Sequence, residues 1–187
     1  MQAVFLDRDG VINEEFGYLH DPKDLLLIPG AASAIHILNE RKIPVIVVSN
    51  QSGVARGYFP ESHAAEFNEA LSRELKKDGA HIDKFYDCPH HPTAGRGTYK
   101  MTCDCRKPKP GLLLRAAKDF NLNIKDCVLI GDKASDIGAG VAAECRTVLV
   151  KTGYGEKEWS LWNKDFKPSH VAADLSDAVE WLLDSTV

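Results

Sequence analysis

Short apolar runs along this chain alternate with segments whose apolar residues recur at helical spacing. Residues 3–7, 44–49 (Pro-Val-Ile-Val-Val-Ser), 83–88, 127–131 (Cys-Val-Leu-Ile-Gly) and 146–150 read as strands, with a weaker strand at 169–172. Residues 30–41, 60–77, 110–121, 134–143 and 174–184 read as helices. In the first of these, Ala31, Ala34, Ile35 and Leu38 fall on one face. Pro60 followed by Glu61 marks the start of the second. Strands this short and this uniformly apolar suit a parallel sheet covered on both faces. The alternation predicts βαβ crossovers and an α/β, doubly wound, Rossmann-like fold. The longest irregular stretch runs from about 88 to 109, and loops of that length in a compact domain are functional or tied down from outside.

Composition narrows the picture without redirecting it. At 187 residues, 44% hydrophobic and 27% charged, one domain over 1–187 is expected. A net charge of −4 gives no electrostatic reason for a nucleic-acid or anionic-membrane partner. No apolar run reaches bilayer-spanning length. The opening Met-Gln-Ala-Val-Phe-Leu-Asp lacks the charged and apolar regions of a secretory leader, so a cytoplasmic protein is expected; a monomer is the expected state. Of five cysteines, three lie within 18 residues of one another. In a reducing compartment that reads as metal ligands plus core cysteines.

The densest chemistry lies at the first strand. Val-Phe-Leu-Asp-Arg-Asp-Gly-Val, residues 4–11, carries two aspartates two positions apart. Residues i and i+2 of a strand face the same way, so Asp7 and Asp9 converge at the carboxyl end, where open α/β sheets bind ligands. Carboxylates that close repel unless one is protonated or a cation sits between them. Taken alone, Asp-x-Asp-Gly is also a turn or calcium-loop fragment. After the second strand comes Ser49-Asn50-Gln51-Ser52-Gly53, whose hydroxyls and backbone N–H groups suit either phosphate oxygens or an ordinary capping turn. Arg106-Lys107-Pro108-Lys109-Pro110-Gly111 puts three cations before a helix. The fourth strand ends in Gly131-Asp132-Lys133-Ala134-Ser135-Asp136. Asp132 and Asp136 there can cap the next helix or meet Asp7 across a switch point between strands. Several carboxylates converging in one crevice demand a divalent cation, and hard oxygen ligands beside a phosphate point to Mg²⁺.

These four segments, in this order and spacing, resemble the four motifs of the haloacid dehalogenase-like superfamily over residues 1 to about 150. The resemblance implies phosphoryl transfer through an aspartyl phosphate. Asp7 would be the nucleophile, and Asp9 would protonate the leaving oxygen and then activate water. Ser49 and Lys107 would bind the phosphoryl group. Mg²⁺ would be held by Asp7, the backbone carbonyl of Asp9, and Asp132. About 40 residues separate the first two motifs, room for a loop, a helix and a strand but not for a large cap domain.

Within 88–105, Cys88-Pro89-His90-His91 is followed by Cys103-Asp104-Cys105. Three thiolates and one imidazole make a closed tetrahedral Zn²⁺ site, structural rather than catalytic, and such a site would order a loop that lacks its own core. His90 and His91 compete for the fourth position. Cys127 and Cys145 sit in apolar surroundings and read as core residues.

Phe-Leu-Asp-Arg-Asp-Gly, Asn-Gln-Ser-Gly-Val-Ala-Arg-Gly, Cys-Pro-His-His-Pro and Cys-x-Cys-Arg-Lys-Pro-x-Pro-Gly together resemble the D-glycero-D-manno-heptose 1,7-bisphosphate 7-phosphatases. The histidinol-phosphate phosphatases are the near relatives. That resemblance implies Cys88, His90, Cys103 and Cys105 as the zinc ligands. It also implies sugar contact by Glu15, Phe16, Gly17 and Tyr18, recognition of the remote part of the substrate by Arg106, and a pocket lined by Ser49, Asn50, Gln51, Ser52 and Lys133. The implied activity is Mg²⁺-dependent removal of the 7-phosphate of heptose bisphosphate. A sugar bisphosphate offers a second anionic handle for Arg56, Arg106 or Lys109. Histidinol phosphate, cationic at one end, is the alternative that an acidic rim of Glu14, Glu15 and Asp21 would accept. A zinc-dependent binding module without turnover is the non-enzymatic alternative, and the presence of Asp7, Asp9, Lys107 and Asp132 speaks against it. Residues 151–187 carry no motif, and Trp159, Trp162 and Trp181 read as packing residues.

Overall fold

The computed structural model of the chain describes residues 1–184; the last three residues of the expected 1–187 domain lie outside the described residues. Six strands form one sheet: β1 Val4–Leu6, β2 Val45–Asn50, β3 Lys84–Cys88, β4 Val128–Gly131, β5 Arg146–Val150 and β6 His170–Ala172. Their order across the sheet is β3-β2-β1-β4-β5-β6, and every pairing is parallel. All six fall within one residue of the stretches predicted from apolar patterning. The helices are α1 Ala31–Glu40, α2 Ser52–Arg56, α3 Glu61–Lys77, α4 Gly111–Asp119, α5 Ala134–Ala142, α6 Gly155–Ser160 and α7 Leu175–Asp184.

Alternation along the strands builds a core on each face. Val4 and Leu6 of β1, Val45 and Val47 of β2 and Val128 and Ile130 of β4 pack with Ala34, Ile35 and Leu38 of α1, Leu71 and Leu75 of α3, and Val179 and Leu182 of α7. The intervening Phe5, Ile46, Val48 and Leu129 pack on the other face with Leu112, Leu113 and Ala116 of α4 and Ala139 beyond them on α5. Burying each such side chain stabilises by about 1.5–3 kcal/mol, and near-complete burial on both sides is why the strands read as continuous apolar runs. Cys127 and Cys145 are buried in this second core, as expected.

The chain leaves β1 towards β2 and β3, then returns to the other side of β1 as β4. The strand order therefore reverses between β1 and β4, and a crevice opens beyond their carboxyl ends, where such sheets place ligands. Two excursions reach over it. Residues 13–27 go out and back, tied at the root by Glu14 N–H to the Leu26 carbonyl at 2.8 Å and Ile28 N–H to the Ile12 carbonyl at 3.0 Å. Residues 89–110 connect β3 to α4 and contain only one short 3-10 turn, Gly97–Tyr99. No residue from 89 to 106 is buried.

Two helices lie outside the predicted set. α2 is a single turn stopped by Gly57 in the left-handed conformation at φ 73°. α6 lies in the segment without a motif, and its Glu158 carboxylate accepts the Ala134 N–H at 3.0 Å, capping α5 from outside.

Candidate active site

Asp7 follows the last residue of β1, with β2 on one side and β4 on the other. Its backbone N–H donates to the Ile130 carbonyl at 2.9 Å, which continues the sheet ladder to this point. Asp132 follows the end of β4, and Asp136 sits in the first turn of α5. All three carboxylates are buried, and one oxygen from each lies within 4.8 Å of the others. Lys107 arrives from the long β3–α4 connection. Its ammonium lies 3.0 Å from Asp7 Oδ1 and 2.7 Å from Asp136 Oδ1, and donates to the Val48 carbonyl at 2.7 Å.

Lys107, with Lys133 3.7 Å from Asp132 Oδ1, leaves three buried carboxylates short of balance. Burial above all, with the neighbouring Asp7 and Asp136 adding to it against Lys133, pushes the Asp132 carboxyl up to about 8. Burial also raises Asp136, although Lys107 opposes it. Asp132 Oδ1 is buried without a hydrogen-bond partner, while Oδ2 accepts the Tyr154 N–H at 2.9 Å. An orphaned, buried carboxylate oxygen facing two further carboxylates is the donor set of a hard divalent cation, and these residues fit Mg²⁺. The cluster is closed from below by two glycines in the left-handed region, Gly10 at φ +87° and Gly153 at φ +56°. A Cβ on either would collide with the Asp132 carboxylate. Thr152 Oγ1 donates to the Gly10 carbonyl at 2.6 Å and joins the two turns.

Asp9 is set differently. Its carboxylate is gripped by the Arg8 guanidinium, Nε to Oδ1 at 3.0 Å and Nη2 to Oδ2 at 2.9 Å. Asn13 Nδ2 donates to Oδ1 at 2.9 Å and Gln51 Nε2 to Oδ2 at 3.3 Å. Burial would raise this carboxyl, but Arg8, Asn13 and Gln51 outweigh it and hold it below the usual carboxylate range. Gln51 also donates to Ser49 Oγ at 2.8 Å.

Above this floor is a crevice of about 360 Å³ lined by Asp9, Glu15, Gly17, Tyr18, Asn50, Gln51, Ser52, Gly53, Arg106, Lys107, Lys133, Ser135 and Tyr154. Most of the site residues expected from sequence therefore meet here, with Asp7, Ser49 and Asp132 buried beneath. Phe16 stands apart: it is 67% exposed and lines a neighbouring groove with Leu26. Lys109 faces Asp104 at 4.0 Å rather than the crevice. Arg56 sits at the rim, with its guanidinium carbon 5.6 Å over the Tyr18 ring and Nη2 3.4 Å from His91 Nε2. Lys133 spans the mouth, 3.0 Å from Glu15 Oε2 and 4.7 Å over the Tyr154 ring.

A second cluster closes the long loop. Cys88, His90, Cys103 and Cys105 each present a ligand atom to a common centre. The Sγ separations are 3.1, 3.3 and 3.6 Å, and His90 Nδ1 lies 3.4 and 3.8 Å from two of the sulfurs. Tetrahedral zinc with Zn–S of about 2.3 Å and Zn–N of about 2.0–2.1 Å needs S–S edges of about 3.8 Å and S–N edges of about 3.5 Å; the His90 edges match, the sulfurs need only spread by less than about 0.7 Å, and three thiols with one imidazole are the donor set of Zn²⁺. Burial, then the neighbouring Cys105 thiol, keeps the Cys88 thiol well above its ordinary range; a divalent cation reverses that influence. His91 lies outside the cluster, since its Nδ1 accepts the Ala94 N–H at 2.9 Å and its Nε2 faces Arg56.

Three contributors escaped the sequence reading. Arg8, flanked by the two aspartates, has no exposed surface. A charged residue at an inward-facing position between them was the available signal. Asp136, by contrast, is legible in the sequence as a cap and as a member of the acidic cluster, and it is both: it accepts the Lys133 N–H at 3.0 Å at the start of α5 and pairs with Lys107 beside Asp7 and Asp132. Tyr154 and Gly153 come from the unassigned carboxyl-terminal part and carry no local signature.

A hydrolase-like family model (HAD-hyrolase-like) matches residues 104–178. D-glycero-beta-D-manno-heptose-1,7-bisphosphate 7-phosphatase of Pasteurella multocida (strain Pm70) is 44% identical over 153 residues, 81% of this chain and 83% of that protein. D-glycero-D-manno-heptose-1,7-bisphosphate 7-phosphatase of Thermosynechococcus vestitus is 41% identical over 186 residues, 96% of this chain and 94% of that protein. The crystal structure of D,D-heptose 1,7-bisphosphate phosphatase from B. bronchiseptica, complexed with magnesium and phosphate, superposes with a TM-score of 0.89 at 31% identity, covering 99% of each chain. Among the described residues, no helix is long and apolar enough to cross a membrane.

Proposed function

This chain belongs to the haloacid dehalogenase-like hydrolases, among the heptose-1,7-bisphosphate 7-phosphatases, and is a phosphatase; we propose that it removes the 7-phosphate of D-glycero-D-manno-heptose 1,7-bisphosphate through a phosphoryl group carried on Asp7. The observation that carries this reading is the convergence of Asp7, Asp132 and Asp136 against Lys107 at the sheet's switch point.

Lys107 and the Arg8 N–H, at 2.8 Å, both fall on Asp7 Oδ1. Oδ2 is therefore the oxygen that attacks phosphorus, in line with the departing sugar oxygen. The P–O bond to the sugar breaks as the P–O bond to Asp7 forms, and Asp9 gives its proton to the leaving oxygen. Asp9 starts ionised; the phosphoryl dianion arriving beside it raises its proton affinity, and it takes a proton from solvent on Oδ2, where the 3.3 Å bond from Gln51 is the longest of its four and yields first, before passing that proton to the sugar oxygen. In the second half, Asp9 takes a proton from water, which attacks the acyl phosphate and releases inorganic phosphate and the Asp7 carboxylate. Lys107 and Ser49 hold the equatorial oxygens. Bound Mg²⁺, held by Asp7, Asp132 and the Asp9 carbonyl, supplies charge neutralisation for the transferring group. Arg106, with Asn50, Ser52, Lys133 and the 15–18 loop, receives the sugar and its other phosphate, so that binding energy from the non-reacting end orients the reacting one. The Cys88-His90-Cys103-Cys105 tetrad holds Zn²⁺ and orders the loop that delivers Arg106 and Lys107. The chain works as one cytoplasmic, monomeric domain.

Initial rates with heptose 1,7-bisphosphate, fructose 1,6-bisphosphate and histidinol phosphate, each with Mg²⁺ and with EDTA, test the reading. The heptose ester should be hydrolysed fastest, only with Mg²⁺, and ³¹P NMR should show the 7-phosphate lost and the 1-phosphate kept. A preference for histidinol phosphate, or release of the 1-phosphate, overturns it.

A further inference from the structure

Arg8 has no exposed surface and is the largest fully buried side chain among the described residues. Two residues past the end of β1, its side chain runs into the layer under α3. There its guanidinium carbon lies 4.4 Å over the Phe67 ring. Nη1 donates to Asn68 Oδ1 at 2.9 Å, and Nη2 donates to the Leu19 carbonyl at 3.2 Å. Asn68 in turn donates to Asp87 Oδ2 on β3 at 2.7 Å. From this anchorage the guanidinium turns back and takes both oxygens of Asp9 in a fork at 3.0 and 2.9 Å.

Desolvating an arginine is costly, and for packing alone an apolar residue of similar volume serves as well or better. A rigid planar fork offers geometry instead: it fixes the plane of one carboxylate. The carboxylate it fixes is the one whose task depends on aim, because a proton donor must meet the departing oxygen within hydrogen-bond reach. Phe67, Asn68 and Leu19 hold the fork so that it cannot follow Asp9 if that side chain swings away. The geometry points to Arg8 as a positioning residue that aims the Asp9 carboxyl group at the leaving oxygen, with Asn68 as its brace. This rests on the phosphatase reading above and extends it to residues outside the crevice.

The readout is the first turnover, in which the P–O bond of the ester breaks. A sugar alkoxide needs the proton from Asp9, whereas p-nitrophenolate leaves as the anion. Rapid-quench rates with Mg²⁺ are compared for heptose bisphosphate and p-nitrophenyl phosphate in native protein, Arg8→Met, Arg8→Lys, Asn68→Ala and Asp7→Asn. For Arg8→Met we expect the sugar-ester step to fall about 100-fold, with the p-nitrophenol burst changed less than about threefold and KM for the sugar ester nearly constant. Arg8→Lys, which keeps charge but not the fork, should recover less than a tenth of the loss. Asn68→Ala should show a smaller loss with the same selectivity, and it decides the matter if Arg8→Met does not fold. Equal loss on both esters, or full recovery with lysine, overturns the positioning role. If Asp7→Asn keeps native turnover, the phosphatase reading itself fails, and the two failures are thereby separate.

Discussion

Asn50 brackets the backbone of Lys107. Its Oδ1 accepts the Lys107 N–H at 3.0 Å, and its Nδ2 donates to the Lys107 carbonyl at 3.1 Å. A residue at the end of β2 thus sets where a loop lysine enters the carboxylate cluster. Asn50→Ala removes both bonds, about 2 kcal/mol of positioning, and should lower kcat/KM about 30-fold with little change in circular dichroism. Steady-state kinetics would show this, and an unchanged kcat/KM would mean that the side chain only lines the crevice.

Asp7→Asn removes the attacking carboxylate while preserving shape. Turnover should fall at least about 10³-fold. Melting temperature should not drop, because one of three mutually repelling carboxylates has been neutralised. Acid-quenched native protein should carry a phosphoryl group on the peptide containing Asp7, found by mass spectrometry and missing from the variant.

The pH dependence of stability follows from Asp132. Its carboxyl is raised in the folded state to about 8, against about 3.9 in an unfolded chain. The folded state therefore binds the extra proton between those values, and stability without metal falls as pH rises through that window. Asp136 shifts the same way and adds to the trend. Mg²⁺ needs the ionised form, so the rise in melting temperature on adding Mg²⁺ should grow from pH 5 to pH 8. Thermal melts across that range with Mg²⁺ or with EDTA check both slopes; a Mg²⁺ effect independent of pH would disprove the assignment.

Cys103→Ser breaks the tetrad. Apart from Tyr99, packed on Val54, Phe59 and Ala64, and the Arg96 N–H on the Ala55 carbonyl at 2.7 Å, little else holds the loop from 89 to 106. Melting temperature should fall and KM for the phosphate ester should rise together, as they should when a strong chelator strips the native protein. Native protein purified without chelator should contain one zinc per chain by elemental analysis.

Gly153→Ala would push a methyl group into the Asp132 carboxylate and the Gly10 backbone at a positive φ, a conformation that costs a residue with a Cβ about 1–2 kcal/mol. The Mg²⁺ concentration for half-maximal activity should rise about tenfold, read by metal titration at saturating substrate. A wild-type titration curve would show that the turn yields without disturbing Asp132.

What the amino acids disclose in advance depends on how local the cause is. β1, β2, β4 and β5 announce themselves because each buries both faces, and α1 because Ala31, Ala34, Ile35 and Leu38 share one. The phosphate-handling segments are legible for the same reason: Asp7, Ser49, Lys107 and Asp132 each follow or approach a strand end within a recognisable run. Arg8 is not legible in this way, because its role depends on Phe67 and Asn68 folding over it. Gly153 and Tyr154 matter only because the turn after β5 passes under Asp132. α2 and α6 are too short for periodicity to declare, and tertiary partners hold them, Gly57 ending the first and Glu158 fastening the second to α5.

A segment drawn together by four side chains need not be drawn together by packing. Residues 91–102, between the two halves of the Cys-His tetrad, fill no core position, and the arginine and lysine that follow sit at the crevice. The rim facing the far end of a substrate is thereby held by the tetrad and by Tyr99 against Val54, Phe59 and Ala64, and not by the strands of the sheet. It can be lengthened, shortened or recoloured while the catalytic floor keeps its shape, which makes it the natural place to retune the enzyme towards a different sugar.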